Sequence, residues 1–328
     1  MIQSLAHRRT GTRALDYDEF GLSAFAVATS DPADKGCLTA GFTALGIAEG
    51  GSQNIILDGF CIHGEDGVKF GSQNCMEGGE EADSEVIISM PNPGAGLGNG
   101  GHDLGSDNEV VSESMCNDGV YSNNDLPDNV EQQSIANFAD NDDFIFDLSY
   151  PAGDSAHVDK VRARIDELRA NYASEFPADV TPIFQDDYVI SSDSTVSNQL
   201  IISNSKITIG SNVSLNNVYL LAKENVEFGS DVTIGSPDFC NTQTGQVFIL
   251  AGEQAKFGSD NHMNGSQVIA GNYVDYGSNN IDMREVSVLS GGDIKFGSEW
   301  VIRGCDSNGA HQSLDPGKVV DRISRLVK

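Results

Sequence analysis

The stretch Ala251-Gly-Glu-Gln-Ala-Lys-Phe257-Gly258-Ser259 is repeated in outline by Ala270-Gly-Asn-Tyr-Val-Asp-Tyr276-Gly277-Ser278 and again by Ser290-Gly-Gly-Asp-Ile-Lys-Phe296-Gly297-Ser298. Two further copies are Gly64-Glu-Asp-Gly-Val-Lys-Phe70-Gly71-Ser72 and Ala222-Lys-Glu-Asn-Val-Glu-Phe228-Gly229-Ser230. Each begins with a small residue and ends in an aromatic followed by Gly-Ser. Two residues before the aromatic stands Val68, Val226, Ala255, Val274 or Ile294. Side chains two apart share one face of a strand, so the intervening Lys69, Glu227, Lys256, Asp275 or Lys295 points the other way. Each phrase is therefore a short strand with a dry side and a wet side.

The spacing of the phrases decides how the strands assemble. Gly210 to Gly229 is 19 residues, Gly258 to Gly277 is 19, Gly277 to Gly297 is 20, and Gly51 to Gly71 is 20. The one long step, 29 residues from Gly229 to Gly258, contains the turn-rich run GSPDFCNTQTGQ, read as a loop bulging from one corner without disturbing register. A rung of about 20 residues built from short β segments and Gly/Asn/Ser/Asp turns predicts an all-β chain, a right-handed parallel β-helix. Helical repeats would show period 3.6, and the Leu and Asn ladder of a leucine-rich repeat is absent. In the stacked rungs the aromatics Phe70, Phe228, Phe257, Tyr276 and Phe296 fill or cover the coil. The glycines Gly71, Gly229, Gly258, Gly277 and Gly297 permit the corner, and the serines cap stacked backbone.

Five segments follow: 1–36, partly disordered; 37–90, first rungs; 91–185, a Gly/Asp/Asn-rich loop and helix insertion; 186–305, main rungs; and 306–328, a C-terminal helical cap. Within the insertion, 91–145 reads as a long loop with one irregular rung around Cys116. Asp154 or Ser155 can cap a helix whose apolar stripe is Val158, Val161, Ile165, Leu168 and Tyr172, predicted to pack on a flank or end of the solenoid. A second helix, Val319 to Leu326, begins at Asp315-Pro316 and is expected to cover the last rung.

The 328 residues carry 19 Lys+Arg against 49 Asp+Glu, a net charge of -30, which would repel phosphate backbones and anionic lipid and so excludes nucleic acid as a partner. Hydrophobic content of 39% suffices for a core. No run approaches a membrane-spanning helix, and the opening residues carry no secretory pattern, which predicts a soluble chain without an address. Six cysteines, Cys37, Cys61, Cys75, Cys116, Cys240 and Cys305, never fall in a C-x-x-C spacing. An even, scattered set suggests disulfides, with buried free thiols as the alternative.

Some β-helix lyases pair clustered carboxylates with calcium and an Arg base. Asp275, Asp282, Arg284, Asp293 and Arg303 are the candidates, and the 19-residue separation of the arginines predicts adjacent rungs. In a chain this acidic, proximity by composition does not make an active site, so no catalytic residue is assigned. The histidines, among them His63, His102, His157 and His262, form no H-E-x-x-H pairing, and no glycine-rich stretch has nucleotide-loop character. No cofactor or metal site is expected. Turns such as Gly105-Ser106-Asp107-Asn108 and Gly258-Ser259-Asp260-Asn261 would hold calcium only weakly.

The segment Cys37-LTA through Gly50-GSQNIILDGF-Cys61-IHGEDGVKFGSQN-Cys75 resembles the extracellular region of TadG-like proteins of the tight-adherence (Flp) pilus-assembly system. The likeness extends over residues 37 to 305 and rests mainly on its first fifty, where Cys37 and Cys61 match the family's pair and Ile62-His63-Gly64 follows the second. It implies a bacterial envelope location, extracellular, cell-surface or periplasmic, a Cys37–Cys61 disulfide and a role in pilus assembly or adhesion. Taking the other cysteines in order gives Cys75 with Cys116 and Cys240 with Cys305. The chain departs from that family in lacking an anchoring helix and a von Willebrand-type adhesion motif, so its start is truncated or it is an unanchored partner. The expected function is a non-catalytic structural or adhesion protein, its partners envelope or pilus proteins and surface polysaccharide. The alternatives are a polysaccharide lyase or hydrolase and a carbohydrate-binding adhesin.

Overall fold

Short apolar-alternating segments broken by Gly, Asn, Asp and Ser every few residues cannot close on themselves and must bury their dry sides against the next copy. A computed structural model of the chain describes residues 41–57, 60–71, 74–76, 86–91, 102–103, 109–110, 130–132, 134–137, 144–242, 244–279 and 281–304. They form a parallel β-solenoid of about 10 turns with rungs about 20 residues apart. Each rung contributes a strand to three faces. The first, a 9-stranded sheet, holds Tyr188–Ile190, Ile207–Ile209, Val226–Phe228, Gln254–Phe257, Tyr273–Asn279 and Ile294–Ser298, among others. It is called the charged face below. The polar face holds His262–Asn264, Asp282–Arg284 and Val301–Arg303; the covered face holds Val247–Ala251, Ser266–Ala270 and Ser287–Ser290. The core runs down the axis between them, from Ile190 and Ile201 to Met90.

The long step behaves as the spacing predicts. Ser214–Ala222 pairs with Thr233–Ile234 on one face and with Val247–Ala251 on the next, so the intervening loop leaves the register intact. Its short helix Phe239–Thr242 folds back, and the Phe239 ring lies where a Cβ on Gly265 would stand.

The order of rungs departs from the order of the sequence. Ile294–Ser298 is followed on the charged face by Ile47–Gly50, Val301–Arg303 on the polar face by Ile55–Leu57, and Ser287–Ser290 on the covered face by Gly41–Ala44. The first-written rungs therefore stack on the last-written ones across a seam at which the two abutting rungs are not consecutive in the chain. The seam is bonded like any other: Gly41 N donates to Val286 O at 3.1 Å, Gly51 N to Phe296 O at 3.0 Å, and Ile47 N to the Asp293 carboxylate at 2.8 Å. Ile55–Leu57 covers the last-written rung, where a C-terminal helix is expected. Residues 306–328 themselves lie outside the described residues. The rungs also run further than residue 90, since His102–Asp103, Glu109–Val110 and Val130–Gln132 extend all three faces, and Thr181–Phe184 already belongs to the main stack.

Having climbed to Gln132, the chain returns along the covered face. Ile135 and Phe146 pack there with Leu45; helix α1, Ser155–Ala170, lays Val161, Ile165 and Leu168 over Leu221, Leu250 and Ile269; Phe176 then meets Tyr219 at 5.0 Å. Asp154 caps the helix, its carboxylate accepting from Ala156 N at 2.8 Å. The stripe ends at Leu168: Tyr172, expected to share it, is 38% exposed beyond the helix end and packs on Phe184 instead. Salt bridges Arg162–Glu253 and Lys223–Asp166 (2.6 Å) fasten the helix edge to the rungs.

Candidate functional site

The corner after each charged-face strand is built from the aromatic-Gly-Ser phrase. Phe70, Phe228, Phe257, Tyr276 and Phe296 all point into the coil and are buried. Phe228 and Phe257 stack at 4.6 Å, Phe257 and Tyr276 at 4.4 Å. At the seam the row contains Gly50, where a Cβ would lie 2.5 Å from the Phe296 ring and 2.8 Å from Phe70; those two rings fill its place, 5.8 Å apart. The glycines serve differently from the sequence reading. Their backbone is not left-handed; a Cβ on Gly229 would meet Ser211 N at 2.7 Å, and one on Gly258 would meet Gly229 O at 2.6 Å. Close approach of rungs, not corner dihedrals, demands glycine there. The left-handed residue is two further on, at Gln53, Asn212, Asp231, Asp260 and Glu299. The serines do stack: Ser230 N donates to Ser211 Oγ at 3.2 Å and Ser52 N to Ser298 Oγ at 2.9 Å.

Asn261, offered above as a turn oxygen for calcium, is committed to the corner, accepting from Val232 N at 2.8 Å and donating to Gly258 O at 2.9 Å. Residues 105–108 lie outside the described residues, and among the described ones no three His, Cys, Asp or Glu side chains gather as a metal site. The candidate catalytic set divides between faces. Asp275 belongs to the charged face, while Asp293, at its corner, binds Ile47 N. Asp282, Arg284 and Arg303 belong to the polar face, with the arginines in register on adjacent rungs and Arg303 bonded to Asp282 at 3.4 Å.

On the charged face the wet-side residues stack as Glu227, Lys256, Asp275, Lys295, Glu49 and Lys69, alternating in sign at every step and across the seam. Glu49 and Lys69 are 3.2 Å apart. A shallow open depression of about 480 Å³ lies along this row, lined by Glu49, Asp275, Lys295 and the corner glycines. Beside it, burial first and then the charges of Asp275, Asp293 and Glu49 push the Tyr273 hydroxyl up to about 12.

A polar cluster that sequence reading missed sits at the upper end of the covered face. Thr43, His63 and Ser89 occupy one register row and are buried. His63 Nδ1 lies 2.9 Å from Ser89 Oγ and its Nε2 3.2 Å from Glu65, whose carboxylate also accepts from Ser134 Oγ and Ile135 N, each at 2.7 Å. Burial alone would raise the Glu65 carboxyl, but these hydrogen bonds outweigh it and hold the group below the usual carboxylate range. With Ser89 1% exposed and both Glu65 oxygens occupied, the cluster ties the returning segment to the rungs. No motif spacing announces it, because its members meet only through stacking.

Cys61 and Cys240 are disulfide-bonded. Cys75 lies in strand Cys75–Met76, while Cys37, Cys116 and Cys305 lie outside the described residues. The chain belongs to DUF7867, a domain family of unknown function. Residues 41–306 match it, a span that holds every described rung on both sides of the seam. No curated protein and no solved structure matches the chain. Among the described residues no helix is long and apolar enough to cross a membrane.

Proposed function

We propose that this DUF7867 chain is a non-catalytic structural or adhesion protein of the cell envelope, associated with envelope or pilus proteins. The observation that carries the reading is the open end of the stack. Among the described residues the first rung's strands, Thr181–Phe184 and Tyr188–Ile190, each have a partner on one side only. Around them the core comes to the surface: Ile183, Tyr188 and Val196 are half-buried, Phe184 is 41% exposed and Val189 61%. An uncovered parallel edge with apolar side chains is a template for another chain's strands, and a solenoid held by satisfied corners and charges is stiff enough to transmit load. The disulfide-bonded state of Cys61 and Cys240 suits an oxidising compartment, and the TadG-like resemblance suggests which assembly.

The test is to isolate the native protein with its neighbours by cross-linking from cell fractions, and to compare it with the double variant Val189→Lys, Phe184→Asp. Recovery in an envelope or secreted fraction, with cross-links lost in the variant, supports the proposal. Recovery from cytosol with all thiols free, or turnover of a polysaccharide by the purified chain, overturns it.

A further inference from the structure

We infer that the polar face carries a binding site for a carboxylate-bearing polysaccharide, centred on Arg284 and Arg303. Among the described strands this is the only pair of basic residues in direct register, in a molecule of net charge -30. On the charged face every basic residue is stacked between acids or against one. Like charges one rung apart, roughly 5 Å, are destabilising unless something anionic lies between or over them.

Among the described residues no group fills that role. Asp282 reaches only Arg303, through one nitrogen, at 3.4 Å to each oxygen. Arg303 Nε is buried with no acceptor. The Arg284 guanidinium, half-exposed, makes no ion pair or hydrogen bond to a described residue. The half-exposed Arg284 guanidinium, not the buried Nε of Arg303, is the donor that a ligand oxygen reaches. Two planar guanidiniums match a carboxylate's two oxygens better than a point charge would.

The surroundings argue for a sugar chain. Down the same face the outward rows are small and hydroxyl- or amide-bearing: Thr195, Ser197 and Asn216 are exposed and Thr233 half-buried, with exposed His262 and buried Asn264 next to the arginine rung. Such a row offers donors and acceptors to ring hydroxyls and no apolar pocket to a peptide side chain. The folded-back loop bearing Phe239 packs at Gly265, at the corner beside Asn264. An extended glycan laid along the stack would place its carboxylate on the arginines and its hydroxyls on the rows.

The inference extends the adhesion half of the proposed function, but its test needs only the purified full chain. Calorimetric titration would use polygalacturonate fragments, neutral dextran and dextran sulfate against the parent, Arg284→Gln and, as a remote basic control, Lys256→Gln. The expected result is binding of the uronate, none of dextran, and at least a tenfold loss in Arg284→Gln with an unchanged thermal midpoint, while Lys256→Gln binds like the parent. No uronate binding, equal loss in both variants, or dextran sulfate binding that ignores Arg284 would each overturn the site. None of these outcomes bears on cell fraction or on the open-end cross-links, so the two proposals fail separately.

Discussion

Gly258 and Asp260 stand two residues apart in one corner and answer to different constraints. A Cβ at Gly258 would sit 2.6 Å from Gly229 O, a backbone atom that cannot move aside without parting two rungs. Asp260 has φ 57, a left-handed conformation that glycine adopts at less cost. Gly258→Ala is therefore expected to lower stability by roughly 1–3 kcal/mol, and Asp260→Gly to stay within about 1 kcal/mol of the parent, since relief of the dihedral offsets added unfolded-state entropy. Denaturant midpoints of the two variants check this, and the reverse ranking would refute the assignment of roles. Glycine was legible as a corner residue but its reason was not. The left-handed position carries Gln, Asn, Asp or Glu from rung to rung and so has no single letter to find. Tyr273 gives a pH prediction. Its folded pKa is raised from 10.0 to about 12, so between those values the unfolded chain releases the proton first, and stability whole below pH 10 falls as pH rises. Tyr273→Phe should flatten that alkaline slope in thermal midpoints from pH 9 to 11.5; parallel curves for both proteins would reject it.

At the scale of the element, the alternating row on the charged face explains why wet-side residues differ so sharply between copies of one phrase. Lys295 faces Asp275 on one side and Glu49 on the other. Lys295→Glu would turn two favourable contacts into two unfavourable ones and should cost roughly 1 kcal/mol at low salt, shrinking markedly near 0.5 M. A loss that salt leaves unchanged would point to packing instead of charge. The sequence shows Lys69, Glu227, Lys256, Asp275 and Lys295 as outward residues one at a time. Four of them alternate in chain order, but the row's continuation to Lys69 emerges only when Glu49 is placed between Lys295 and Lys69, and Glu49 belongs to no recognisable phrase. Helix α1 was easier to read, since cap and stripe are local. Tyr172 was misjudged because a period of 3.6 continues on paper past the point where the helix ends at Ala170.

For the whole molecule the seam is the feature that reading in chain order could not reach. Parallel rungs carry no mark of sequence order: the step from Gly51 to Gly71 equals that from Gly277 to Gly297, so spacing alone cannot say which copy abuts which. Because the rungs that meet at the seam are not consecutive in the chain and are held there by hydrogen bonds and packing, the first-written rungs should loosen as a unit when it is weakened. Gly46→Ala would bring a Cβ to 2.1 Å from the Asp293 carboxylate and 3.2 Å from Gly292. Amide exchange should then rise about tenfold, roughly 1.4 kcal/mol, through Ile47–Gly50 and Cys61–Phe70 while Thr195–Ala251 keeps its protection; uniform loss would show that the stack opens only as one. The same seam dictates a timetable. A polypeptide made or threaded from its amino end delivers the strands of residues 41–132 before residues 287–303, their template, have emerged. Those early strands can pair with one another, but the seam-facing edge of Gly41–Leu57 must wait, unpaired and prone to join a neighbouring nascent chain, until almost the last residue of the domain arrives. Escort of the unfinished chain is thus written into the topology, and a truncation near residue 290 would leave the beginning of the protein, not only its end, without a place to fold.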